Sequence, residues 1–139
     1  MIGCLLALTA LLQGPPPQVA MEADAQRFAE AWISKDSGYL SGSMLDEGIR
    51  LHLPEEEHLL IKPRQAGAAL SAFLKLYADG NAEVTNVSQA KGDQRKGYTE
   101  IRWTTASPGV PEPVIFTLFV AFALEDDAWR VTEIRVFFR

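Results

Sequence analysis

A chain of 139 residues, 47% hydrophobic and 22% charged, matches ordinary globular usage and is long enough to bury one core. Its formal net charge of -5, with no basic run longer than Arg95-Lys96, argues against nucleic acid and anionic membrane surfaces as partners. One cysteine, Cys4, rules out a disulfide framework, and two histidines, His52 and His58, stand at a spacing that fits no common zinc site, so neither a metal nor a cofactor is expected.

Met1 to Leu12 is almost wholly apolar and runs through Gln13-Gly14 into Pro15-Pro16-Pro17. About 11 apolar residues are too few to span a bilayer as a helix but suit the central region of a secretory signal. No Lys or Arg precedes the run, and a cut after Ala20 would put Gln18 where a small residue is preferred. Export to the periplasm or beyond the cell is the expectation, with a cytoplasmic chain carrying a disordered tail as the alternative. The chain then divides into a signal-like segment and Pro-rich linker, 1–20, and one domain, 21–139.

From Glu22 to Ser34, Ala25, Phe28, Ala29, Trp32 and Ile33 recur at helical spacing, with Glu22 and Asp24 suited to the first turn. A short helix or turn over Tyr39 to Leu45 carries Leu40, Met44 and Leu45 inward. Ile49, Leu51 and Leu53 then alternate with Arg50 and His52 as a half-buried strand ended by Pro54. Glu55-Glu56-Glu57 reads as a solvated loop. Lys62-Pro63-Arg64-Gln65 opens a longer helix with the stripe Ala66, Ala69, Leu70, Phe73, Leu74 and Tyr77, and Gly80 is expected as its left-handed cap. Strands follow over Glu83 to Ala90 and Tyr98 to Ala106, separated by a loop from Lys91 to Gly97.

Val114 to Phe138 closes the chain as a hairpin, two β-branched and aromatic arms joined at Glu125-Asp126-Asp127-Ala128. Trp129 and Val131 are out of phase with Ile134, Val136 and Phe138. A β-bulge near Thr132-Glu133 would bring both sets to one face and bend the sheet. The first arm is apolar on both sides: Phe116, Leu118, Val120 and Phe122 are expected against the helices, and Ile115, Phe119 and Ala121 against a second copy in a homodimer.

The order helix, short helix, strand, long helix, four strands resembles the NTF2-like superfamily, as do Phe28-Ala29-Glu30-Ala31-Trp32 before a Lys-Asp turn and Ala128-Trp129-Arg130-Val131. Lys62-Pro63-Arg64-Gln65-Ala66 leading to Leu70 and Phe73, with Gly97-Tyr98 and Trp129 to Val136, is similar to the DUF4783 family of small exported bacterial proteins. The resemblance covers Ala25 to Phe138 and implies an α+β cone, a strongly curved, mainly antiparallel sheet wrapped around the N-terminal and central helices. Thr-Glu-Ile-Arg-Trp after Tyr98 departs from the small-residue pattern expected of that family.

Some proteins of this fold are isomerases or dehydratases, whose chemistry needs a carboxylate in an apolar pocket. Asp46, Glu47, Glu100 and Glu133 do not fall on predicted inner faces. His52 reads as an exposed strand residue beside Glu100 or Arg102, and Ser41-Gly42-Ser43 lacks the pattern of a nucleophile elbow. No catalytic residue is assigned. Trp32, Trp103 and Trp129 fall on inner faces, where aromatics commonly form core; a pocket lined by them, with Thr99 as polar handle, would hold a small apolar molecule. The expected function is a non-enzymatic exported binding or interaction module, and the alternative is a small-molecule isomerase or lyase.

Overall fold

The computed structural model describes residues 17–139, so the apolar run before Pro17 and its reading as a signal lie outside the described residues. Helix α1 spans Pro17–Ile33, α2 Ser37–Gly42 and α3 Pro63–Leu74; the strands are β1 Ile49–Leu53, β2 Glu56–Ile61, β3 Asn81–Ala90, β4 Asp93–Ala106, β5 Pro113–Glu125 and β6 Ala128–Phe138. They form one curved, unclosed sheet in the order β2-β1-β6-β5-β4-β3, antiparallel throughout except where β1 runs parallel to β6. This is the expected α+β architecture, with one strand more than the sequence suggested.

The terminal hairpin forms as its residues dictate. Asp126 and Asp127 take φ of 49° and 63°, the left-handed pair that a two-residue turn needs to match the twist of its strands. On β5, Phe116, Leu118, Val120 and Phe122 are buried, and each such side chain stabilises the fold by about 1.5–3 kcal/mol. On β6 the pairing steps from Ala121↔Glu133 to Phe122↔Val131, which leaves Thr132 as the extra residue of a bulge. Trp129, Val131, Ile134 and Val136 are consequently all buried on one face.

The helices cover that face. In α3 the buried set is Ala66, Gly67, Leu70, Phe73 and Leu74, and Pro63 begins the helix, where a missing N–H leaves nothing unpaired. Gly67 is needed for close approach, since a Cβ there would sit 3.0 Å from the Ser41 Cβ of α2. Lys35, at φ 58°, ends the run from α1, and the Asp36 side chain accepts from the Tyr39 N–H at 3.0 Å to start α2.

Several boundaries move. Helix α1 begins at Pro17, so Glu22 and Asp24 lie beyond its first turn, and a cut after Ala20 would remove its residues Pro17 to Ala20. Glu56 and Glu57 belong to an edge strand rather than to a loop; its exposure and a bulge against β1 hide the alternation. The span Lys91 to Gly97 contributes only a tight turn, with β4 resuming at Asp93. Gly80 does not cap α3, which ends at Leu74. Its φ of 66° brings it against the Thr104 carbonyl, leaving no room for a Cβ.

Candidate functional site

Inside the cone, side chains from four elements meet as rings. Trp32 of α1 and Trp103 of β4 pack edge to face with centroids 5.6 Å apart, and Trp103 stacks on Phe116 of β5 at 5.0 Å. Phe73 of α3 lies 6.1 Å from Trp103, and Tyr77 lies 5.0 Å from Phe116. These separations are those of favourable aromatic pairs, so the interior around Trp32 and Trp103 is filled by protein. The Trp103 indole N–H donates to the Asp79 carbonyl at 3.0 Å, whereas the buried Trp32 N–H has no hydrogen-bond partner among the described residues.

Thr99 and Thr105 are the buried polar residues among those described. Both hydroxyls are committed, Thr99 donating to the Asn86 carbonyl at 2.7 Å and Thr105 to that of Ala78. The expected quartet therefore separates. Trp32 and Trp103 touch, Thr99 lies on the same face of β4 with its hydroxyl turned to β3, and Trp129 lines a different, open pocket.

That pocket lies between α1, α2 and the β5–β6 hairpin and encloses about 480 Å³. Phe28, Phe122 and Trp129 give it an apolar wall, while Asp24, Arg27, Tyr39 and Arg130 supply polar groups. The Arg27 guanidinium donates to Asp24, and its pKa is raised above the ordinary value by bonds to Asp24 first and Tyr39 second. Arg130 donates to the Gly42 carbonyl at 2.9 Å, and Val131 N–H to that of Ser43 at 2.8 Å, so α2 is tied across the mouth. Of these residues only Trp129 was singled out from sequence. Phe28 and Phe122 read as core, and nothing in the spacing of Arg27, Tyr39 and Arg130 showed that three separate elements would converge.

A second groove, of about 370 Å³, opens at the end of α3 among Leu53, Pro54, Phe73, Leu76, Tyr77 and Phe138. Burial, and secondarily the charge of Glu55, push the Tyr77 phenol above its ordinary pKa.

The carboxylates weighed from sequence stand elsewhere. Asp46 and Glu47 are exposed, Glu100 faces Thr85, and Glu133 pairs with Arg50 at 3.8 Å. His52 sits 5.1 Å from the Phe137 ring and 4.0 Å from Glu57, not beside Glu100 or Arg102, because β1 is bordered by β2 and β6. Among the described residues no three His, Cys, Asp or Glu side chains are grouped to hold a metal.

Neither a family model nor a curated protein matches the sequence. Solved structures do match in fold. A ketosteroid isomerase-like protein from Erwinia carotovora atroseptica aligns with a TM-score of 0.73 at 14% identity, over 90% of this chain and 98% of its own. The fold is the NTF2-like cone. A DUF4783 family protein from Bacteroides uniformis aligns with a TM-score of 0.67 at 16% identity, over 80% of this chain and 93% of its own. A Mycobacterium tuberculosis LEH-like epoxide hydrolase gives 0.62 at 15%, over 89% and 86%. Identities this low establish the shared NTF2-like architecture, on which both enzymes and DUF4783 proteins are built.

Proposed function

We propose that this chain is an exported, non-catalytic binding module that takes a small amphipathic acid in the pocket walled by Trp129. The observation that carries the reading is the junction of an apolar wall, Phe28, Phe122 and Trp129, with the cationic groups of Arg27 and Arg130 and the Tyr39 hydroxyl in one cavity. An aromatic or alicyclic body would lie against the rings, and a carboxylate would meet the guanidinium groups at the rim. Filling of the interior by the Trp32–Trp103 cluster supports this placement, since the central space is taken by side chains. Support for binding without turnover comes from Asp24, the acid in this pocket, which is tied to Arg27 in an exposed ion pair rather than held alone among apolar groups. Export rests on the apolar segment ahead of Pro15, and N-terminal sequencing of the protein from its own host tests it.

Calorimetric titration with naphthoate tests the pocket. Binding is expected to the unaltered chain and to Arg102→Glu, a charge reversal on the opposite side of the sheet, and to weaken about tenfold or more in Arg130→Glu. Equal binding by both variants, or none by the unaltered chain, would remove the proposal. Conversion of a bound acid to product would restore the isomerase or lyase reading.

A further inference from the structure

Asp24, Arg27 and Phe28 stand at i, i+3 and i+4 on helix α1, so one face of the helix turns all three toward the pocket at Trp129. Phe28 is buried in the apolar wall, and the ion pair of Asp24 with Arg27 beside it stays partly exposed. Asp24 is the more enclosed partner, its side chain 25% exposed against 57% for Arg27, so solvent screens its charge less. Arg27 is further engaged by Tyr39 of α2. Arg130, by contrast, donates to a neutral acceptor, the Gly42 carbonyl, and has no carboxylate partner among the described residues. The charged groups lining the pocket, Asp24, Arg27 and Arg130, therefore leave a single net positive charge.

We propose that Asp24 sets the specificity of this pocket: by occupying Arg27 it admits an acid with one carboxylate and disfavours an acid with two. The inference rests on the reading of the pocket as an acid site and adds which acids it takes. A monoanion meets Arg130 and keeps its ring body against Phe28, Phe122 and Trp129. A dianion of the same body brings its second carboxylate toward Arg27, whose charge is already offset, and toward Asp24, a like charge. Repulsion between close carboxylates at a partly enclosed rim then separates the two ligands. The aromatic wall cannot make this choice, because both acids share the body it contacts.

Calorimetric titration of the full chain at low ionic strength tests this, with naphthoate and with a naphthalenedicarboxylate carrying both carboxylates on neighbouring ring carbons. The unaltered chain is expected to prefer naphthoate. Asp24→Asn should bind the dicarboxylate about tenfold more tightly and naphthoate by no more than about threefold, because the second carboxylate lies nearer the removed charge. Loss of an exposed ion pair within one helix leaves the fold intact. Asp24→Glu, which keeps the charge, should discriminate as the unaltered chain does. Glu22→Gln removes the same charge from the same helix outside this pocket and should leave the ratio of the two affinities unchanged. No binding of naphthoate by the unaltered chain would remove the acid site and this inference with it. If naphthoate binds, three results would leave the site standing and overturn the role of Asp24: a preference for the dicarboxylate in the unaltered chain, an unchanged ratio in Asp24→Asn, or an equal change in Glu22→Gln.

Discussion

Trp103 and Trp129 occupy the inner face of the same sheet, yet their surroundings differ in kind. Trp103 is fully buried, ringed by Trp32, Phe73, Tyr77 and Phe116, with its N–H fixed to the Asp79 carbonyl. Trp129 borders an open pocket whose other groups include Asp24, Arg27, Tyr39 and Arg130. The same residue type thus fills the interior in one place and lines an open pocket in the other. What separates them is the covering helix: α3 brings aromatic rings over Trp103, while α2, only six residues long, leaves an open pocket beside the hairpin end.

Thr132 joins the two regions, because its bulge keeps Trp129 and Val131 in phase with Ile134 and Val136. Its deletion is expected to force one pair outward at about 3–6 kcal/mol, a large part of a typical domain's 5–15 kcal/mol; unfolding in urea measures this. Phe116→Ala should cost about 3–5 kcal/mol in the same experiment, whereas Arg130→Ala should cost less than about 1 kcal/mol and act on ligand affinity instead. Within the interior, Trp103→Phe should be worse than Trp32→Phe by about 1 kcal/mol, since only the former loses a hydrogen bond.

The smallest effect is pH-dependent. Tyr77 is harder to deprotonate when folded than its ordinary value of 10.0, so the unfolded chain releases the proton first as pH rises past that point. Stability should therefore fall slightly on the alkaline side, and Tyr77→Phe should remove that contribution to the slope in urea unfolding followed against pH.

Much of the fold was legible because local patterns and tertiary packing agree. β1, the closing hairpin, the bulge at Thr132 and the buried face of β5 all follow from alternation and turn chemistry. The edge strand β2 was missed because its exposed leucines and its two-for-one pairing with Arg50 break the alternation on which a strand is recognised. Site residues were less legible. Thr99, Trp103 and Trp129 share the inner face of the sheet, and Trp32 of α1 packs against Trp103, but alternation does not encode which stretch of that face a helix will cover. Arg27, Tyr39 and Arg130 come from three elements, and their convergence depends on the turn that Lys35 and Asp36 make between α1 and α2.

The most direct test of the account follows the three indole N–H signals in a proton–nitrogen correlation spectrum, assigned with Trp32→Phe, Trp103→Phe and Trp129→Phe, as naphthoate is added. A shift of the Trp129 signal with those of Trp32 and Trp103 unmoved is the predicted result. Movement of the Trp32 or Trp103 signal while that of Trp129 stays fixed would place the ligand in the interior and contradict the division of labour between the two regions.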